Sequence, residues 1–284
     1  FQAAEIKISI RYNNVSKVKI QKMENRLDFR LQQAKKSQKK LFCIFLTFGY
    51  PSIAATERLI LSAERSGVDI IELGFPFSDP LADGPTIQYS SERALKKNVS
   101  IAEAFRLVAK LRSKNCKIPI VFFGYLNPVF AYGEKEFVRD ACRAGVDGLI
   151  VPDLPLEEEK VFHKECRQRK LRFINLVAPT TAEDRAKRLV QNSQGFVYYV
   201  SLRGVTGTRK VLPGDLRSHL AKLKRMTPKP ILVGFGVSTP EQAKAISKMS
   251  DGVIVGSAVI EHLKRGASTA ERFIKKMSQA VHTA

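Results

Sequence analysis

From Leu41 onward the chain repeats one pattern: a short run of β-branched or aromatic residues, then a helix-length amphipathic stretch. The period changes from strand-like to helix-like each time, which is the pattern of βα units feeding a parallel sheet. The candidate strands are 42–47, 69–73, 118–123, 148–151, 172–176, 196–200, 231–233 and 252–255. Eight sequential units in roughly 240 residues suit one closed (β/α)8 TIM barrel better than a doubly wound sheet, and no G-x-G-x-x-G opens a helix after the first strand. The expectation is a single α/β domain over 23–284.

Residues 1–40 read differently. They are basic and polar with neither Gly nor Pro, and 23–36, MENRLDFRLQQAKK, is expected to form an N-terminal helix ahead of the barrel. Residues 1–22 are expected to be either an atypical basic extension or translated upstream sequence that is not part of the mature protein. They lack the apolar core and small-residue cleavage site of a secretory signal.

The 284 residues carry 48 Lys plus Arg against 27 Asp plus Glu, a net charge of +21, which raises a polyanion-binding reading. Against it, the cations sit on helix-patterned segments (Lys110, Arg112, Lys114; Arg185, Lys187, Arg188; Lys222, Lys224, Arg225) without interleaved aromatics. They are read as solvated helix faces, and no specific nucleic acid is expected. No apolar run reaches the roughly 18 residues needed to span a bilayer. Cys43, Cys116, Cys142 and Cys166 form no C-x-x-C pair and the histidines no ligand spacing, so a reducing, cytoplasmic setting without a structural metal is expected. Cys43 and Cys142 are expected to be small buried hydrophobes.

Two post-strand runs are longer than ordinary connections: GFPFSDPLADGPTIQ after the second strand, with three Pro, two Gly and two Asp, and SLRGVTGTRKVLPGD after the sixth. Barrels keep their chemistry at that end of the strands. Glu72 is an inward carboxylate near the end of the apolar second strand, costly unless used or paired. It is either a buried ion pair or a proton shuttle with a raised pKa. Asp79 and Asp83 follow on a proline-stiffened loop, where Asp83-Gly84 is either a turn or a carboxylate presented to a ligand. Gly234-Phe-Gly236 closes the seventh strand, and Gly256-Ser257 closes the eighth at the start of a helical pattern. Glycine there lets backbone N–H groups and a helix N-terminus approach a phosphate, with tight turns as the bland alternative.

These residues also carry a resemblance. Segment 72–88, ELGFPFSDPLADGPTIQ, is similar to the signature of tryptophan synthase α subunits, and LTFGYP at 46–51, GVTG at 204–207, GFGVSTPEQ at 234–242 and GSA at 256–258 agree in order and spacing. The resemblance implies a retro-aldol lyase that cleaves indole-3-glycerol phosphate to indole and glyceraldehyde 3-phosphate. It implies Glu72 as the acid/base that protonates C3 of the indole and takes the hydroxyl proton, and Asp83 as the acceptor for the indole N–H. Thr206 would close the lid over the substrate and hold the catalytic Asp, with Tyr198 beside it. Phe45 and Phe123 would wall the indole slot, and Gly207, Gly236, Gly256 and Ser257 would bind phosphate. Pro76, Phe77 and Asp79 would face a β subunit in an α2β2 complex. That partner would carry pyridoxal phosphate, and this chain no cofactor.

Four positions depart from the family pattern: Phe48 and Tyr50 in LTFGYP, Arg203 in the lid, and Gly124 after the third strand, which is expected to loosen the indole slot. None removes a catalytic group. The competing readings are an α subunit that only activates its partner and a different phosphate-binding barrel such as a sugar-phosphate isomerase. The long SDPLADGPTIQ loop argues against the isomerase.

Overall fold

A computed structural model of the chain describes residues 25–200, 215–234 and 236–284. Nine parallel strands lie among them: β1 (Leu41–Thr47), β2 (Ile70–Gly74), β3 (Ile120–Phe123), β4 (Gly148–Ile150), β5 (Arg172–Phe173), β6 (Leu176–Val177), β7 (Val197–Val200), β8 (Ile231–Gly234) and β9 (Gly252–Val255). Their order in the sheet is β5-β4-β3-β2-β1-β9-β8-β7-β6. The two outermost strands are halves of one short segment, β5 pairing with β4 and β6 with β7, so the sheet closes on itself as a (β/α)8 barrel.

The expected fifth strand is thus real but interrupted at Ile174-Asn175. Asn175 is buried, its backbone N–H donates to Ser193 Oγ (3.0 Å), and its side-chain amide donates to the Leu189 carbonyl (3.3 Å). Those bonds draw the strand toward the helix Glu183–Asn192 just where the ladder passes from one neighbour to the other.

Every residue of β1, β2, β3, β7, β8 and β9 is buried, as expected of strands covered on both faces. Register decides which side chains fill the barrel. Phe45 pairs with Glu72, and Glu72 with Val121. Phe45 and Phe123 meet edge to face, ring centres 5.8 Å apart, across the intervening β2, which only side chains pointing into the barrel can do. With a strand period of two, Cys43, Glu72, Gly74 and Val121 share that interior.

The N-terminal helix forms as expected, over Arg26–Ser37, with the Asn25 side chain accepting the Leu27 N–H at its start. Its charged face closes the floor of the barrel. Arg26 pairs with Asp147 (2.9 Å), Arg30 with Asp69 (3.3 Å), and Asp28 with Arg172. Residues 1–22 lie outside the described residues.

Arg112 corrects the reading of it as part of a solvated face. Its guanidinium bonds the buried carboxylate of Asp147 (2.8 Å) and the carbonyls of Gly145, Cys116 and Ile118, a set that one helix face cannot display in sequence. The other cations named are surface groups, several of them paired: Lys110 and Lys114 with Glu57, Arg185 and Arg188 with Glu157, Lys187 and Lys222 with Glu183, and Lys224 with Asp251. All four cysteines are free. Cys43 is buried as expected, whereas Cys142 is only partly so.

Candidate active site

Three of the connections at the C-terminal end of the strands carry an extra helix: Pro85–Leu95 after β2, Leu126–Tyr132 after β3 and Ser257–Lys264 after β9. Between them the barrel mouth collects the predicted residues.

Glu72 is 1% exposed, and among the described residues neither of its carboxylate oxygens has a nitrogen or oxygen partner within hydrogen-bond distance; the Cys43 thiol is its polar neighbour. No cation among the described residues pairs with it. Burial pushes its pKa up to about 8, with the neighbouring Cys43 thiol offsetting part of the rise. A buried acid left without a partner is expensive, and it is ready for a ligand that offers one.

Asp83 sits half-buried at the end of the 75–84 loop. Gly84 has an extended backbone (φ −75°, ψ 167°) and is the N-cap of the following helix, so Asp83-Gly84 is not the left-handed turn that the dipeptide alone suggests. Burial raises the Asp83 pKa to about 6, and the hydroxyl of Tyr125 holds it from rising further. Tyr125 was not among the residues read from sequence. It is 4% exposed and accepts the Ala82 N–H at 2.9 Å, fixing the acidic loop against the end of β3. Its only signal in the sequence is a tyrosine after a strand-ending glycine, too common a pair to single out.

Tyr198, from β7, stands among the same groups. Burial first, and then the charges of Glu72, Cys43 and Asp83, push its phenol well above the ordinary value. It lies over Gly234, where any Cβ would collide with the ring and hydroxyl, so that glycine makes room for the tyrosine.

Phe45 and Phe123 form one apolar wall, and the Phe45 ring covers Gly74, again a position where a Cβ would not fit. Gly124 does not loosen this slot. A Cβ there would come within 2.7 Å of the Phe75 ring, which fills the space on the outer side of the strand together with Phe122 and Phe137.

The phosphate expectation divides among several residues. Gly236 has φ +77°, and no atom of the described residues lies within 4 Å of where its side chain would be, so those residues leave its backbone open to close approach. Gly256 is the N-cap of the helix Ser257–Lys264, which points that helix's free N–H groups and positive end at the mouth. Thr206, Gly207 and Arg203 lie outside the described residues. On the acidic loop, Pro76 and Phe77 are partly exposed and Asp79 is exposed, with Phe77 lying on the Tyr125 ring at 5.3 Å. Leu81, which the sequence reading did not single out, is 95% exposed.

The model of the tryptophan synthase alpha chain family matches residues 31–284. The chain belongs to that family. It is 46% identical over 257 residues to the tryptophan synthase alpha chain of Caldanaerobacter subterraneus, spanning 90% of this chain and 97% of the relative. It is 42% identical over 262 residues to that of Geobacter sp. strain M21, spanning 90% and 98%. Among solved structures, tryptophan synthase subunit alpha from Legionella pneumophila superposes with a TM-score of 0.86 at 33% identity, covering 92% of this chain and all of the other. A chain of Mycobacterium tuberculosis tryptophan synthase gives 0.85 at 33% identity, covering 92% and 99%.

Two of the departures from the family pattern have a structural account. Phe48 is fully buried in the core. Tyr50, almost as buried, meets the Tyr89 ring edge to face at 6.1 Å and is a packing group here.

Proposed function

We propose that the chain is the lyase of a tryptophan synthase, cleaving indole-3-glycerol phosphate to indole and glyceraldehyde 3-phosphate. The observation that carries this beyond family membership is the pair of carboxylates at one barrel mouth whose surroundings separate them: Glu72 near pKa 8 and Asp83 near 6. At neutral pH the first is mostly a neutral acid and the second mostly an anion, which assigns donor and acceptor.

The reaction needs a proton at C3 of the indole ring, and the protonated Glu72 supplies it. The ring nitrogen then carries positive charge, and the Asp83 carboxylate stabilises it through the N–H. Glu72, now an anion, takes the proton from the side-chain hydroxyl next to the scissile bond. The hydroxyl oxygen forms the aldehyde carbonyl, and the electrons of the breaking C–C bond return to the ring, restoring indole. One carboxyl group thus gives and recovers one proton. Phe45 and Phe123 hold the ring flat, Tyr198 stands beside the acids, and Gly236, Gly256 and Ser257 hold the phosphate. Thr206 and Gly207 are assigned to the lid and the phosphate on motif position alone.

Pro76, Phe77 and Asp79 are proposed to face a β subunit in an α2β2 complex, which receives the indole and brings the pyridoxal phosphate; this chain needs no cofactor of its own. The exposure of Leu81 on the same loop supports a covered face. No helix among the described residues is long and apolar enough to cross a membrane, and we place the complex in the cytoplasm.

The test is indole release from indole-3-glycerol phosphate by the purified chain, with and without a tryptophan synthase β subunit. Release accelerated by the β subunit supports both lyase and partner. Acceleration of the β reaction without indole release supports a purely activating subunit instead.

A further inference from the structure

Beyond the residues already placed at the mouth, one side-chain bridge ties its two ends together. Thr86, the second residue of the helix Pro85–Leu95, which only its N-cap Gly84 separates from Asp83, donates its hydroxyl to Glu261 Oε1 at 2.7 Å. Glu261 lies one turn into the helix whose N-terminus holds Gly256 and Ser257, and the two bonded residues are 175 positions apart in sequence.

The same carboxylate oxygen accepts from Lys264 Nζ at 2.8 Å, and that ammonium lies 4.3 Å from the centre of the Tyr89 ring, on the helix of Thr86. Tyr50 packs edge-on against the other part of that ring. Lys264 and Thr86 together hold the Glu261 carboxyl below its ordinary value, so the bridge stays ionised at neutral pH.

We propose that Glu261 and Thr86 are positioning residues that set the distance between the phosphate anchor and Asp83. This rests on the lyase reading above. The substrate is held at its phosphate by one helix and at its ring nitrogen by the residue preceding the other. A shift between the two helices misplaces the ring over Asp83 while leaving the phosphate bound, and small misplacements of reacting groups cost large factors in rate. The expected signature is therefore a loss in kcat with little change in KM.

The experiment compares wild type, Thr86→Val, Thr86→Ser, Glu261→Ala and the Thr86→Val/Glu261→Ala pair for indole release, alongside affinity for inorganic phosphate and thermal unfolding. Thr86→Val keeps the volume and removes the donor. It should lower kcat about tenfold, leave KM and phosphate affinity within about twofold, and be restored by Thr86→Ser. The double variant should be no slower than Glu261→Ala alone, because the two residues act through one bond. An active wild type with an equally active Thr86→Val overturns the inference alone, as does a loss in rate that serine fails to restore. A wild type that releases no indole overturns the lyase reading and this inference with it.

Discussion

The Tyr125 hydroxyl accepts the backbone N–H of Ala82 at 2.9 Å and stands beside the carboxyl of Asp83, so a residue from the end of the third strand holds the loop that follows the second. The consequence is electrostatic as well as geometric. Burial opposes the Asp83 charge, and the phenol relieves part of that opposition.

The pH dependence of kcat/KM follows from the two carboxyls. Asp83 must be ionised, so activity falls as pH drops through about 6; Glu72 must be protonated to donate, so activity falls as pH rises through about 8. Phenylalanine at 125 removes the hydroxyl and should move the acid limb upward while leaving the alkaline limb in place. A pH–rate profile of Tyr125→Phe checks this, and an unmoved acid limb would show that the limb belongs to another group.

Glycines 234 and 236 should separate by kinetics. Alanine at 234 collides with Tyr198 and displaces a group beside the acids, so kcat should fall, with roughly 1–3 kcal/mol lost from stability by overpacking. Alanine at 236 meets no atom of the described residues but is held at φ +77° and enters the space assigned to phosphate, so KM should rise more than kcat falls. Steady-state kinetics of both variants would expose a reversed assignment.

Asp147 should matter for stability rather than catalysis. It is 1% exposed at the opposite end of the barrel and bonds Arg112, Arg26 and the Ile120 N–H. Alanine there leaves two guanidinium groups, one of them mostly buried, without their carboxylate and with only carbonyl acceptors, and should cost about 3–5 kcal/mol in urea unfolding with kcat unchanged. A loss below about 1 kcal/mol would mean the cations find other partners.

Much of this was legible in the sequence for a physical reason. Strands covered on both faces are short apolar runs and their helices are amphipathic, so the eight units stand out locally. What local pattern cannot show is contact between distant segments. The break in the fifth strand depends on Ser193 and Leu189 reaching Asn175, and Arg112 looks like a solvated helix cation until the 145–147 segment folds over it. Glu72 stood out because a carboxylate in an apolar strand is costly, whereas Asp83 was singled out from a possible turn only by the family resemblance. Tyr125 and Glu261 did not stand out, because each has its role only through a partner on another βα unit.

In the proposed reaction the buried carboxyl of Glu72 gives and recovers the proton. Glutamine at 72 keeps the shape and removes the titratable proton, so indole release from indole-3-glycerol phosphate should fall about a thousandfold, within the roughly 10²–10⁴ range for one acid–base group. Inorganic phosphate should still bind with wild-type affinity. Indole release by Glu72→Gln within tenfold of wild type would contradict the account and require another proton donor at the barrel mouth.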